Sequence, residues 1–228
     1  MATQNTKQGD ERLENVEEAL SKTELWIEEN QKTLWGILIA LLVVAFAIFG
    51  ISKYKQKRNE AASRQIFHAE AAFEQENYDV ALNGDGNNPG FLDIISSYGS
   101  TKTGKLANYY AGICYMKQNN YTDAIECLKK YTNNDQILSA MALGAIGDCY
   151  MELGDNASAA SYYGKAARKN PNDFTSPMFL MKEGMTYEIM GENAKALASY
   201  KKLKSDFPLS NEAFEINKLI ANLEEKMK

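Results

Sequence analysis

Few residues in this chain could do chemistry. The loop at 83–90 reads NGDGNNPG and alternates oxygen-bearing side chains at Asn83, Asp85 and Asn87, as a calcium loop does. Such a loop also needs glycine at its sixth position and a bidentate glutamate at its twelfth. Those positions hold Asn88 and Ile94, so the sequence predicts a plain turn. The same stretch lacks GxGxxG spacing and opens no clear helix after a strand, which excludes a dinucleotide fingerprint. His68 is the only histidine, and a helix-forming stretch near Glu70 makes it a surface residue. Cys114, Cys127 and Cys149 form no CxxC pair, and an odd number cannot all pair within one chain. No constellation for acid–base or nucleophilic work emerges. The sequence predicts neither enzyme, metal site nor cofactor.

The elements behind these residues repeat. Gly112, Tyr115 and Ala124 recur as Gly147, Tyr150 and Ala159, and again as Gly184, Tyr187 and Ala196. Pro171 and Pro208 follow the second and third glycines at one offset. Each unit carries an Asn or Gly turn between two helical stretches, as in GICYMKQNNYTDAIECL, GDCYMELGDNASAASYY and GMTYEIMGENAKALASY. A small residue at the glycine lets two helices of a hairpin approach closely. The alanine is the opposing small contact, the tyrosine fills the space between units, and the proline ends the second helix. Cys114 and Cys149 fall at equivalent positions in adjacent units. Helix-packing spacing separates such positions by about 9–10 Å. That is too far for a disulfide, so they read as small packing residues.

This pattern resembles the tetratricopeptide repeat over about 105–210. The departures are Asn108, Leu143 and Leu180 where the family usually has an aromatic residue, and Glu183 where it usually has leucine. Upstream, AEAAFEQENYDVAL echoes the same turn, with Tyr78 and Ala81 matching Tyr121 and Ala124. Downstream, Ser210 can cap a final helix with an apolar stripe at Ile216, Leu219, Ile220, Leu223 and Met227, as a solenoid's capping helix has. The implied fold class is all-α: one N-terminal transmembrane helix followed by a tetratricopeptide-repeat α-solenoid. The implied segments are an acidic tail with an amphipathic helix at 1–32, a membrane span at 33–52, and an exit helix, degenerate repeat and loop at 53–104. Three repeats at 105–209 and a capping helix at 210–228 complete them.

The span reads TLWGILIALLVVAFAIFGIS, with no charge between Lys32 and Lys53. As a helix it is about 30 Å long, a bilayer core's thickness. Trp35 and Tyr54 suit the two interfaces. Core helices rarely run this long without a polar face. A cleaved signal peptide would start earlier and follow a basic region, not an acidic one. Flanking charge puts the C-terminal side in the cytoplasm: Lys22 and Lys32 precede the span, whereas Lys53, Lys55, Lys57, Arg58 and Arg64 follow it. The rule weakens for long domains. Upstream, residues 1–11 are polar and predicted disordered. Leu13, Val16, Leu20 and Ile27 keep helical spacing, and Ser21 with Glu24 fits a capping box that would start a helix there. The chain's net charge of -5 gives no reason to expect nucleic-acid binding.

In the tetratricopeptide family, five positions of each first helix line a concave face. By the glycine register these are Leu106, Tyr109, Ile113, Met116 and Lys117. Next come Met141, Gly144, Asp148, Met151 and Glu152, and then Met178, Met181, Met185, Glu188 and Ile189. Six of the nine methionines fall in this set. Methionine is flexible and polarizable and suits varied apolar partners. The residues expected to matter most are Tyr109, Ile113, Met116, Met141, Asp148, Met151, Met178, Met181, Met185 and Glu188. The alternative is that the capping helix, or the helix near 91–98, fills these positions. Some family members clamp a terminal carboxylate with Lys and Asn at the second and third of these five positions, which here hold Tyr109, Gly144, Met181 and Ile113, Asp148, Met185, and that argues against chaperone-tail binding.

The whole layout resembles the ancillary subunit of the bacterial Sec translocon, as do SSYGSTKTGKLANYYAGICYMKQNNYTDAIECLKKY and YKKLKSDFPLSNEA in repeat style. That resemblance implies a single-pass inner-membrane protein with periplasmic repeats, against the flanking-charge count. The partners it implies are translocon subunits, a membrane-anchored chaperone or secreted chains. Two other scaffolds stay open: one for envelope or division machinery, and a membrane-tethered adaptor facing the cytoplasm. No small-molecule substrate is expected.

Overall fold

The computed structural model describes residues 2–133 and 135–228, with side chains at 26–27, 29–133 and 135–228. Ten helices follow one another among these residues, and no strand does. They are α1 (Ala2–Glu74), α2 (Tyr78–Asn83), α3 (Phe91–Tyr98), α4 (Lys102–Lys117) and α5 (Tyr121–Lys130). The rest are α6 (Leu138–Glu152), α7 (Asn156–Arg168), α8 (Thr175–Ile189), α9 (Asn193–Asp206) and α10 (Asn211–Lys226). The chain divides into two compact units, Met1–Gln56 and Lys57–Lys228.

In the first unit α1 is helical from Ala2, so the disorder expected at 1–11 is not what forms. The stretch has no proline, and its Ala2, Gln4, Lys7, Gln8 and Glu11 are good helix formers. Nor does a helix start at Ser21, since the backbone is helical through it. The side chains of Leu13, Val16, Leu20, Ser21 and Glu24 lie outside the described residues. The apolar stretch is long and apolar enough to cross a membrane. Its side chains are exposed, Phe46 at 74%, which removes the buried core helix as an explanation.

In the second unit the same hairpin turn is built four times. Residues in the left-handed region stand at Glu76, Asn119, Gly154 and Gly191. The next backbone N–H donates back to the carbonyl five residues earlier: Asn77 to Ala72, Asn120 to Tyr115, Asp155 to Tyr150 and Glu192 to Tyr187, at 2.8–2.9 Å. Asn77, Asn120 and Asp155 then cap the following helix through their side chains. The echo at 69–82 is therefore a true hairpin, made by the end of α1 and α2.

Within each repeat the two helices pack together: α4 on α5, α6 on α7, and α8 on α9. Each second helix packs on the next first helix, and first helices touch in the order α4, α6, α8, α10. Fully buried alanines at 107, 111, 124, 140, 159, 166 and 196 permit this close approach. Tyr115 and Tyr150 pack against two core clusters each, as the sequence predicts for residues between units. The end of α1 is docked on α3 and α4. Asn59 Oδ1 accepts from the Thr103 backbone at 2.9 Å, Gln65 donates to the Tyr98 hydroxyl at 3.1 Å, and Arg58 donates to the Ser97 carbonyl. Ile66 and Ala69 add apolar contact in the same cluster.

The loop at 83–90 is a turn. The Asp85 carboxylate accepts from the backbone N–H groups of Asn87 and Asn88 and from the Asn88 amide at 2.7–2.9 Å. These bonds hold it below the usual carboxylate range. Gly84 has a φ of 79° and lies against the backbone of Asn88 and Gly90, so no larger residue fits there.

Candidate protein-binding face

The row α4, α6, α8 presents the residues singled out above. Tyr109, Ile113 and Met116 on α4 are half-buried against the middle core cluster. Tyr109 also meets the Tyr131 ring, with centroids 5.6 Å apart, and burial raises its pKa. Met141 and Met151 on α6, with Met178 on α8, are half-buried against the C-terminal cluster. Thr186 Oγ1 lies 3.7 Å from the Met151 sulfur, tying α8 to α6. Met185 is 45% exposed. Met181 is only 8% exposed and belongs to the core. The two methionines are four residues apart, yet they do different work.

The two carboxylates of the set are already engaged. Asp148 Oδ1 accepts from the Tyr163 hydroxyl at 2.6 Å and from Lys182 Nζ at 2.7 Å. Glu188 Oε1 accepts from the Tyr200 hydroxyl at 2.6 Å. Burial pushes both tyrosines up, and the bonds to carboxylates push them further. Neither phenol ionises near neutral pH, so each remains a donor. These contacts join first to second helices and α6 to α8. They position the row and leave its apolar residues as the part a partner could take.

Sequence reasoning missed what lies on the repeat glycines. A β-carbon at Gly147 would stand 2.7 Å from the Tyr163 ring, and one at Gly184 would strike the Tyr200 ring. In the first repeat the Leu128 side chain holds this place, with the Ala124 carbonyl 3.1 Å away. The signal was available, because Leu128, Tyr163 and Tyr200 each follow their glycine at one offset. Gly144 has another reason to be glycine: the Phe179 ring of the next repeat fills the place of its side chain. That expected groove position is closed.

Among the described residues neither α3 nor α10 packs against α6. Instead α10 packs on α8 and α9, extending the row as a further first helix. The cysteines are free and buried, and burial pushes Cys114 and Cys149 up to about 12. They are inert packing residues. Asn108 replaces the expected aromatic by bonding back to the Gly104 carbonyl at 2.9 Å. No group of three His, Cys, Asp or Glu among the described residues could hold a metal.

Two sequence profiles of the tetratricopeptide repeat match, over residues 111–174 and 179–210. No curated protein matches the chain. Among solved structures, the crystal structure of MamA protein is similar, at 22% identity and a TM-score of 0.50. The match covers 73% of this chain and 93% of that one. A kinesin light chain of nearly identical TPR-like repeats from Podosopora anserina is 11% identical, with a TM-score of 0.49, covering 75% and 84%. A TPR repeats protein from Bacteroides fragilis is 18% identical, with a TM-score of 0.40, covering 63% and 62%. At such identities the likeness shows fold alone. From 111 to 210 this all-α chain is built of tetratricopeptide repeats.

Proposed function

We propose that the chain is a membrane-tethered, non-enzymatic scaffold. Its first-helix row binds an apolar segment of a protein partner. The observation that supports this best is the run of Met116, Met141, Met151, Met178 and Met185 along adjacent helices, half-buried or exposed, with α6 in the middle of the row packed by neither α3 nor α10. Stacked helical repeats serve as extended binding surfaces, and methionine adapts to varied apolar side chains. The span at 33–52 would hold the repeats at a bilayer. The layout resemblance extends the reading to the Sec translocon, with repeats in the periplasm and translocon subunits, a membrane-anchored chaperone or secreted chains as partners.

A photo-reactive residue at Met185 tests this in cells. Its side chain is exposed, so the probe does not disturb the core. Crosslinks to translocon subunits, the chaperone or secreted chains are expected. Crosslinks to cell-wall or division machinery would move the reading to an envelope scaffold. Crosslinks only to cytoplasmic proteins would overturn the periplasmic orientation in favour of the flanking-charge count.

A further inference from the structure

The repeat unit has two edges of opposite charge. One gathers the starts of the first helices and the ends of the second. Three hydrogen bonds mark it: Thr103 N–H to Asn59 Oδ1 at 2.9 Å, Lys105 Nζ to the Thr132 carbonyl at 3.4 Å, and Asn170 Nδ2 to the Asp135 carbonyl at 3.2 Å. Helix ends on this edge carry Lys102, Lys105, Lys130, Arg168, Lys169 and Lys204. The acids there are Asp135, Asp173, Asp206 and Glu212. Asp206 is paired with Lys202 at 2.6 Å and Arg168 with Glu183 at 3.6 Å, and the six cations outnumber the four carboxylates, so the edge is net basic. The other edge, where first helix turns into second, carries Asp123, Glu152, Asp155, Glu188 and Glu192 against Lys117 and Lys195.

The basic edge also exposes large apolar side chains. Ile137 is 45% exposed, Phe174 66%, Leu209 88% and Phe214 73%. Ile137 and Phe174 hold one position in successive repeats, just before the first helix. The acidic edge exposes Leu153 and Ile189 as well, so apolar exposure does not separate the two edges; charge does. Lysine beside exposed phenylalanine and leucine is the composition of a surface that lies in a lipid interface.

We propose that this basic edge rests on an anionic bilayer surface, with Phe174, Leu209 and Phe214 among the headgroups and the lysines facing lipid phosphates. The inference rests on the membrane-anchored reading above. The full chain in nanodiscs tests it. The native cysteines are buried, so a bimane label goes to one introduced cysteine: Phe174→Cys on the basic edge, Glu192→Cys on the acidic edge, or Leu42→Cys in the span. Doxyl-labelled lipid is the quencher. In discs of phosphatidylcholine with phosphatidylglycerol, the label at 174 is quenched several-fold more than the label at 192. That difference shrinks in phosphatidylcholine alone, at high salt, and in a Lys102→Glu, Lys130→Glu, Lys204→Glu chain, while the label at 42 stays quenched. Equal quenching at 174 and 192 in anionic discs, with 42 quenched, overturns the inference and leaves the anchor standing. An unquenched label at 42 overturns the anchor and the inference with it.

Discussion

The Glu183 carboxylate occupies the place where a β-carbon of Gly164 would stand. Glu183 is 7% exposed, at a position where the repeat usually has leucine. Its partners come from both flanking helices. Ser199 Oγ donates to Oε2 at 3.1 Å, and Arg168 Nη1 lies 3.6 Å from Oε1. Glycine at 164 makes room on α7, and serine at 199 supplies the donor on α9. Burial raises the Glu183 pKa; Arg168 and Ser199 pull it down but do not cancel that rise.

The raised pKa fixes a sign. The folded state holds the Glu183 proton more tightly than the unfolded chain does, so proton uptake favours folding. The contribution of this group to stability falls as pH rises from about 4 through the raised pKa. Glu183→Gln removes that dependence. In urea unfolding at a series of pH values, wild type should lose stability relative to Glu183→Gln as pH rises. A constant difference between the two would contradict the raised pKa.

Two glycine substitutions should be costly. Gly164→Ala forces the Glu183 carboxylate and the Arg168 guanidinium aside, and Gly147→Ala presses on the Tyr163 ring. Each should destabilise by about 1–3 kcal/mol, the usual cost of overpacking. Gly154→Ala also loses stability, but for a backbone reason: its φ is 77° and its β-carbon would meet nothing. Combining Gly164→Ala with Glu183→Ala should recover part of the loss, which a double-mutant cycle measures.

Tyr163→Phe keeps the ring over Gly147 but removes the donor to Asp148. The expected loss is about 1.5–3 kcal/mol, the range for a hydrogen bond to a charged group. Lys182 still pairs with Asp148, so the repeat stays folded. Denaturant midpoints with an unchanged m-value would confirm a local loss.

Glu76 holds a φ of 58°, where its counterparts Gly154 and Gly191 are glycine. Glu76→Gly should therefore raise stability by roughly 0.5–1 kcal/mol. Thermal unfolding checks this, and a fall in Tm would mean that the Glu76 side chain has a favourable role.

Met181→Glu and Met185→Glu should part company. Charge at the buried Met181 loosens the C-terminal core by several kcal/mol. Charge at the exposed Met185 leaves the stability within about 0.5 kcal/mol of wild type. If the row binds apolar partners, Met185→Glu lowers crosslinking to them while the fold holds.

Much of the fold was legible because it is periodic. Gly112, Gly147 and Gly184 with their tyrosines and alanines set the hairpins, and a local turn needs only nearby residues. The echo near Tyr78 was legible for the same reason. Helix at 1–11 was not, because polar composition reads alike for a solvated helix and for disorder.

By itself the sequence determined the order of hairpins, the exposed apolar stretch at 33–52 and the inert surroundings of its cysteines. These depend on spacing and side-chain type, which are local properties. Tertiary structure alone decided that Met181 is core while Met185 is exposed, since helical spacing puts both on neighbouring turns. It alone set Phe179 on Gly144, Glu183 on Gly164 and the phenols on Asp148 and Glu188. Each of these pairs joins different helices, and the stagger between helices is settled by packing, not by any one segment's pattern.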